Sequence, residues 1–277
     1  MLKLGYNTSG FSRSKNLMNV IGIIHSLGYA GLELTLDRLH FHPYFSDKNT
    51  QRQLARQIAA YNLELVLNTG GRYVLSDVAH EPSLVSASST ERERYVRFVV
   101  ETIRIAPLLG ARVVMLHSGT LPPDVDPGVA WKWLIAEVTR LADLAYNQGV
   151  KLGFEFHPSM FVSNLADYQY LKSHVDSPAL GLTLDVGHVV CTDTRPVSQA
   201  IIECNREIFN VHLEDIKDRK HVHLPIGQGD IDFADVFRGL ETIDYRGLIN
   251  AEFNTNDLEV DECQLAQETF KYLQRLM

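Results

Sequence analysis

KLGFEF (151–156), LGLTLD (180–185), IFNVHLE (208–214) and GLINAEF (247–253) are short apolar runs, each with an ionisable residue near its C-terminal end. Runs of this length and composition read as buried strands, whose side chains alternate between two faces. Apolar residues then recur at helical spacing over 166–175, 197–206, 233–242 and 260–276, which predicts a helix after each strand. The same unit repeats toward the N-terminus. LKLGY (2–6) precedes a helical stretch at 16–28 stopped by Gly28, and AGLELT (30–35) precedes another at 50–62. LELVLN (63–68) leads into a long polar loop, 69–89, and a helix over 90–109, with Ser89 or Thr90 as its cap and Gly110 as its stop. RVVMLH (112–117) is followed by a helix at 128–148, closed by Gly149.

Eight strand-then-helix units without a linker or composition break predict an α/β fold, a single (β/α)8 TIM barrel domain over 1–277. An open doubly wound sheet alternates in the same way, but it carries a glycine-rich phosphate turn after its first strand. Here that turn reads Asn7-Thr8-Ser9-Gly10-Phe11. The net charge of −8 and the lack of a basic stripe argue against nucleic acid as a partner. No apolar run is long enough for a membrane span, and the N-terminus lacks a signal-peptide layout. Three widely spaced cysteines, Cys191, Cys204 and Cys263, form no disulfide or zinc-ribbon pattern. A reduced, cytoplasmic protein is expected. Trp131 and Trp133, on the fourth helix, suit packing or an oligomer contact.

Barrel enzymes place their chemistry at the C-terminal ends of the strands. Those ends carry Glu33, Asn68, His117, Glu155 with His157, Asp185, His212 with Glu214, and Glu252. Apolar neighbours on both sides of Glu155, Asp185, His212 and Glu252 belong to the helix layer, which points these four residues inward. One ionisable group at a strand end is commonly a surface residue. Three carboxylates and an imidazole converging from consecutive strands would repel and resist ionisation unless a cation compensated. One divalent metal ion held by Glu155, Asp185, His212 and Glu252 is therefore expected. The donor set suits Mn, Mg or Co, with Zn and Fe left open, and it leaves coordination positions for substrate oxygens or water.

At these positions the chain resembles the xylose-isomerase-like barrels, a superfamily of sugar phosphate isomerases/epimerases, ketose 3-epimerases, dehydroshikimate dehydratases and endonuclease IV-type enzymes. The resemblance rests on Gly28-Tyr29-Ala30-Gly31-Leu32-Glu33-Leu34, Glu155-Phe156-His157-Pro158, Asp185-Val186-Gly187-His188, His212-Leu213-Glu214-Asp215, the stretch 226–233 (IGQGDIDF) and Glu252. It implies that a metal engages a substrate carbonyl and the adjacent hydroxyl. Glu155 and Glu252 would then be the catalytic pair that moves a proton through a metal-stabilised enediolate. The resemblance implies a substrate contact at His188. Phe161 and Asp218 stand where ketose 3-epimerases carry an acid and an arginine. Endonuclease IV-type enzymes are similar around His117, His188, His221 and His223, with Asn68 in place of one of their histidines. His221 and His223 thus read either as a loop pair facing substrate or solvent, or, with His188, as a second metal site.

His188, His117, Asn68, Arg72 and His157 make up the expected substrate-binding set. Arg72 reads either as the bidentate holder of a carboxylate or phosphate or as a surface arginine in an ion pair. The leading expectation is a metal-dependent isomerase or epimerase of a small sugar, sugar phosphate or related polyol. A lyase/dehydratase of a shikimate-like or cyclic polyol substrate comes second, a multi-metal hydrolase of the endonuclease IV type third, and a non-catalytic metabolite binder fourth. The expected partner is a small carbohydrate-like molecule, and the sequence leaves the oligomeric state open.

Overall fold

The computed structural model describes residues 2–13, 16–253, 255 and 260–277. Eight parallel strands close into a barrel: β1 (Lys3–Asn7), β2 (Gly31–Thr35), β3 (Glu64–Asn68), β4 (Ala111–His117), β5 (Lys151–Glu155), β6 (Leu180–Asp185), β7 (Ile208–Leu213) and β10 (Leu248–Ala251). Each pairs with its neighbours in sequence order, and β10 closes the ring by pairing with β1 at Lys3–Leu248 through Tyr6–Ala251. Helices α1 (Leu17–Ser26), α2 (Lys48–Ala60), α3 (Ser89–Leu109), α4 (Pro127–Asn147), α5 (Leu165–His174), α6 (Val186–Thr192), α7 (Val197–Cys204), α8 (Phe233–Thr242) and α9 (Glu262–Gln274) fill the connections. The expected (β/α)8 barrel is the observed fold. No helix among the described residues is long and apolar enough to cross a membrane.

Alternation along each strand decides what faces where. Phe154, Phe156, Leu184, Val186, Val211, Leu213, Ala251 and Phe253 join the main core between strands and helices. The residues between them therefore point into the barrel. Val66, Val113 and Leu248 form a separate apolar cluster with Phe209 against it, on the same strand faces as Asn68, His117 and Glu252. Trp131 packs on Phe161 and Tyr170, with ring centroids 4.8 and 4.7 Å apart, so Phe161 serves the helix layer. Arg92 lies 3.6 Å over the Trp133 ring.

Three local features differ from the sequence expectation. The cap of α3 is Ser88, one residue before the expected pair, because the serine-rich stretch 86–90 offers near-equivalent caps and Arg92 donates to Ser86 O and Ala87 O. A short helix, α6, starts directly after β6, since Asp185 is both strand end and N-cap, accepting the His188 N–H at 2.9 Å. The stretch after β7, expected as a loop, forms an antiparallel hairpin of β8 (Asp215–Lys217) and β9 (Lys220–Leu224). Asp218 and Arg219 make its turn with φ of 52° and 56°. The Asp215 carboxylate holds the chain beyond it by accepting from Gly227, Gly229 and Ile231 N–H groups at 2.9, 2.8 and 3.2 Å. A Cβ at Gly229 would stand 2.3 Å from Asp215 Oδ1, so this anchor requires glycine there.

Inside the barrel, small residues make room for polar ones. A Cβ on Gly153 would lie 2.3 Å from Thr183 Oγ1, a hydroxyl without a hydrogen-bond partner. Overpacking of this kind costs about 1–3 kcal/mol. Gly153→Ala is expected to lower unfolding free energy by about that amount in urea titration, and Thr183→Ala in the same chain to restore at least about 1 kcal/mol of it. Additive effects of the two substitutions would contradict this packing.

Candidate active site

His212 is the centre of the barrel mouth. Its Nδ1 lies 2.9 Å from Glu155 Oε1, 2.8 Å from Glu252 Oε2 and 3.9 Å from Asp185 Oδ2. These four residues each offer a donor atom within 4.8 Å of the others, and β5, β6, β7 and the residue following β10 supply them. Glu155, Asp185 and His212 are buried, and Glu252 keeps 18% of its side chain exposed.

Burial pushes Glu155 up to about 7 against the pull of His212. Burial and the neighbouring Glu214 and Glu155 carboxylates hold Asp185 well above the usual carboxylate range. For His212, burial opposes the charged form, but Glu252, Glu33 and Glu155 together hold it well above an ordinary imidazole. Glu252 is drawn down by that imidazolium despite its own burial. The cluster thus carries more negative charge than its one imidazolium balances, and the excess is relieved by holding protons on carboxylates. Asp185 Oδ2 is buried with no hydrogen-bond partner, while Oδ1 caps α6. An orphaned carboxylate oxygen inside a set of three carboxylates and one imidazole fits a divalent cation.

The opposite edge of His212 is held by Glu33, which the sequence places at a strand end and in the motif 28–34 but not in the metal or substrate set. Both oxygens of Glu33 lie 2.8 Å from His212 Nε2. Glu33 is fully buried, and asparagines satisfy its remaining lone pairs: Asn210 at 2.8 Å, Asn250 at 3.0 Å, Asn68 at 2.5 Å and Asn7 at 3.4 Å. Asn7 also donates to Glu252 Oε1 at 2.8 Å. With a cation bound, Nε2–H donating to Glu33 would leave the Nδ1 lone pair to the metal. Asn68, expected at the substrate, spends its amide on Glu33 and accepts the Gly70 N–H at 2.7 Å. The available signal was parity: Glu33 lies between Leu32 and Leu34 just as Glu155 lies between phenylalanines.

On one side of this cluster stands a wall of imidazoles. His188 Nδ1 faces the Phe156 carbonyl at 2.9 Å, and its Nε2 stands 3.1 Å from His221 Nε2. The His157 ring is 4.6 Å from both His188 and His221, and His223 is 4.6 Å from His221. Burial and the adjacent imidazoles push His157 down to about 2, His221 to about 4 and His188 well below its usual value. Behind them is Glu214, which shares the inward parity of His212. Its carboxylate is fully buried, abuts His223 Nδ1 and lies 3.7 Å from His221 Nε2 and 4.0 Å from His188 Nε2. The structure thus gathers His188, His221 and His223 around Glu214. His117 is buried at the end of β4, pushed down to about 3 by burial and by His80, and Arg72 is exposed on the loop after β3. Asp218 is in the hairpin turn.

Partners of a metal-binding histidine are typically worth 10–100-fold in metal affinity. Glu33→Gln is expected to weaken Mn²⁺ binding by about that factor in calorimetric titration of metal-stripped protein, with the fold intact by circular dichroism. Unchanged affinity would remove Glu33 from the site.

Known proteins are similar across most of the chain. An uncharacterized protein of Methanocaldococcus jannaschii is 28% identical over 209 residues, 69% of each chain. The inosose dehydratase of Clostridium beijerinckii is 26% identical over 160 residues, about half of each protein (52% of this chain and 53% of the relative). Among solved structures, an L-ribulose 3-epimerase superposes with a TM-score of 0.81 at 20% identity, covering 100% of this chain and 96% of its own. The IolI protein with a bound zinc atom gives 0.78 at 17% identity, covering 99% and 96%. These structural likenesses concern the fold. The description "xylose isomerase-like TIM barrel" matches residues 21–276, and the chain belongs to that family.

Proposed function

We propose that the protein is a divalent-metal-dependent isomerase or epimerase of a small sugar, sugar phosphate or related polyol. The observation that carries this reading is the meeting of Glu155 and Glu252 on one atom, His212 Nδ1, at 2.9 and 2.8 Å from opposite parts of the barrel. When held by Glu155, Asp185, His212 and Glu252, a divalent cation supplies Lewis-acid polarisation of a substrate carbonyl and its neighbouring hydroxyl. The chain's own groups do the rest. One carboxylate of the Glu155 and Glu252 pair takes a proton from the acidified carbon, and a carboxylate returns it to the same or the adjacent carbon. Return to the opposite face gives an epimer, and return to the neighbouring carbon gives an isomer. His188, His157 and His117 contact substrate oxygens, and Asn68 orients Glu252 from 3.5 Å. The IolI zinc and the L-ribulose 3-epimerase likeness support this reading by analogy.

A dehydratase is the second reading, favoured by the inosose dehydratase relative. The same first proton transfer would then be followed by loss of a β-hydroxyl as water. Glu214 favours a second cation, for both its oxygens are buried without a hydrogen bond while facing His188, His221 and His223. That four-residue set is the part of the site on which a multi-metal hydrolase would depend.

Incubating Mn²⁺-loaded protein with a panel of ketoses, their phosphates and inososes in D₂O, read by NMR, tests the reading. An isomerase or epimerase places solvent deuterium on the reacting carbon, and a dehydratase releases an enone. Glu155→Gln and Glu252→Gln are each expected to slow the reaction about 10²–10⁴-fold. No exchange and no elimination with any member of the panel would contradict proton-transfer catalysis. Elemental analysis is expected to give two ions per chain if Glu214 and its histidines hold one, and a single ion would sink the second site.

A further inference from the structure

The loop after β3 is tied down at each of its charged side chains except one. Asp77 pairs with Arg38 at 3.0 Å, and Glu81 accepts from Ser86 Oγ at 2.7 Å. Arg94, reaching in from α3, donates to Leu75 O. Arg72 has no hydrogen-bond or ion-pair partner among the described residues, although it stands on an otherwise ordered loop at the barrel mouth. Two glycines press this loop inward. A Cβ on Gly71 would lie 2.1 Å from Leu36 O, and one on Gly70 would lie 2.8 Å from Asn68 Oδ1. The His80 N–H donates to Arg72 O at 2.7 Å, which fixes His80 directly beside the arginine.

Beneath the loop the polar groups are unsatisfied. His117 is only 4% exposed, and neither of its ring nitrogens has a partner among the described residues; His80 Nδ1 is buried and likewise unpaired among them. The two rings meet edge to face at 5.4 Å. Buried donors and acceptors in folded proteins are nearly always paired, so unpaired imidazoles on one wall suit a ligand's oxygens. On its other side His117 stands opposite Glu155 of the metal cluster, paired with it across β4 and β5. This wall is therefore rich in donors, and the floor is rich in carboxylates.

We propose that Arg72, with His80 and His117 beside it, receives an oxyanion of the substrate, a carboxylate or a phosphate ester, at the end remote from the proton-transfer centre. The proposal rests on the enzyme reading above and narrows its substrate to an anionic polyol. A planar guanidinium takes two oxygens of such a group at once, and neutral imidazole N–H groups complete its shell without adding charge. The carboxylate floor at the same time repels an oxyanion from the reacting end, so charge orients the substrate.

Calorimetric binding to the Mn²⁺-loaded protein tests this with D-fructose as the neutral probe, D-fructose 6-phosphate as the phosphate arm and 5-keto-D-gluconate as the carboxylate arm. At least one anionic probe is expected to bind about 10-fold or more tighter than D-fructose, a difference of about 1.4 kcal/mol. The tighter arm identifies the source of the oxyanion. Arg72→Ala is expected to erase that preference, and Arg72→Lys to retain part of it. Equal or undetectable binding of all three probes overturns the proposal, as does a preference that survives Arg72→Ala. Binding and deuterium exchange fail separately. A preference lost in Arg72→Ala without any exchange keeps the anion site and removes the isomerase reading, and exchange without a preference does the reverse.

Discussion

Closing eight parallel strands into a ring forces the C-terminal ends of those strands to share one small volume, and here that volume receives acids. Glu33, Glu155, Asp185 and Glu214 are buried around His212, with Glu252 at the rim. Carboxylates so close together cannot all stay ionised without compensation, because both burial and mutual repulsion favour the neutral form. The surrounding arrangement answers that constraint. Asparagines turn their amides toward Glu33, His212 is gripped between carboxylates on both edges, and Asp185 spends one oxygen on the start of α6.

The same constraint separates roles within the site. Glu33 is saturated by donors, so it serves as a fixed partner that sets the orientation of His212. Glu155 and Glu252 meet His212 on its open edge, where a substrate above the cation could exchange a proton with either. Glu214 has no donor of the asparagine kind among the described residues and faces His188, His221 and His223, with Asp185 close by. The hairpin of β8 and β9 supplies two of those imidazoles, and the Asp215 anchor sets where that hairpin lies.

Much of this was legible in the sequence because strand alternation is a strict period. Phe154 and Phe156 assign Glu155 to the interior without any tertiary information, and the same holds for Asp185, His212 and Glu252. Glu33 obeys the same parity, yet its role depends on asparagines from β1, β3, β7 and β10 that meet only when the ring closes. Asn68 looked like a substrate group for the same reason, since nothing local reveals that its amide is already engaged. The hairpin was read as a loop because its strands are short and Asp215, twelve residues from Gly227, fixes it through contacts distant in sequence. α6 is too brief for a helical period to show.

Thermal unfolding of metal-stripped protein titrated with Mn²⁺ reads whether a divalent cation satisfies the carboxylate cluster. A ligand at 100 times its dissociation constant stabilises by about 2.7 kcal/mol, or about 5–10 °C in a chain of this size. Such a rise is expected for the unaltered chain and is largely lost in Asp185→Asn. A melting temperature that ignores Mn²⁺, or that rises equally in Asp185→Asn, would contradict it.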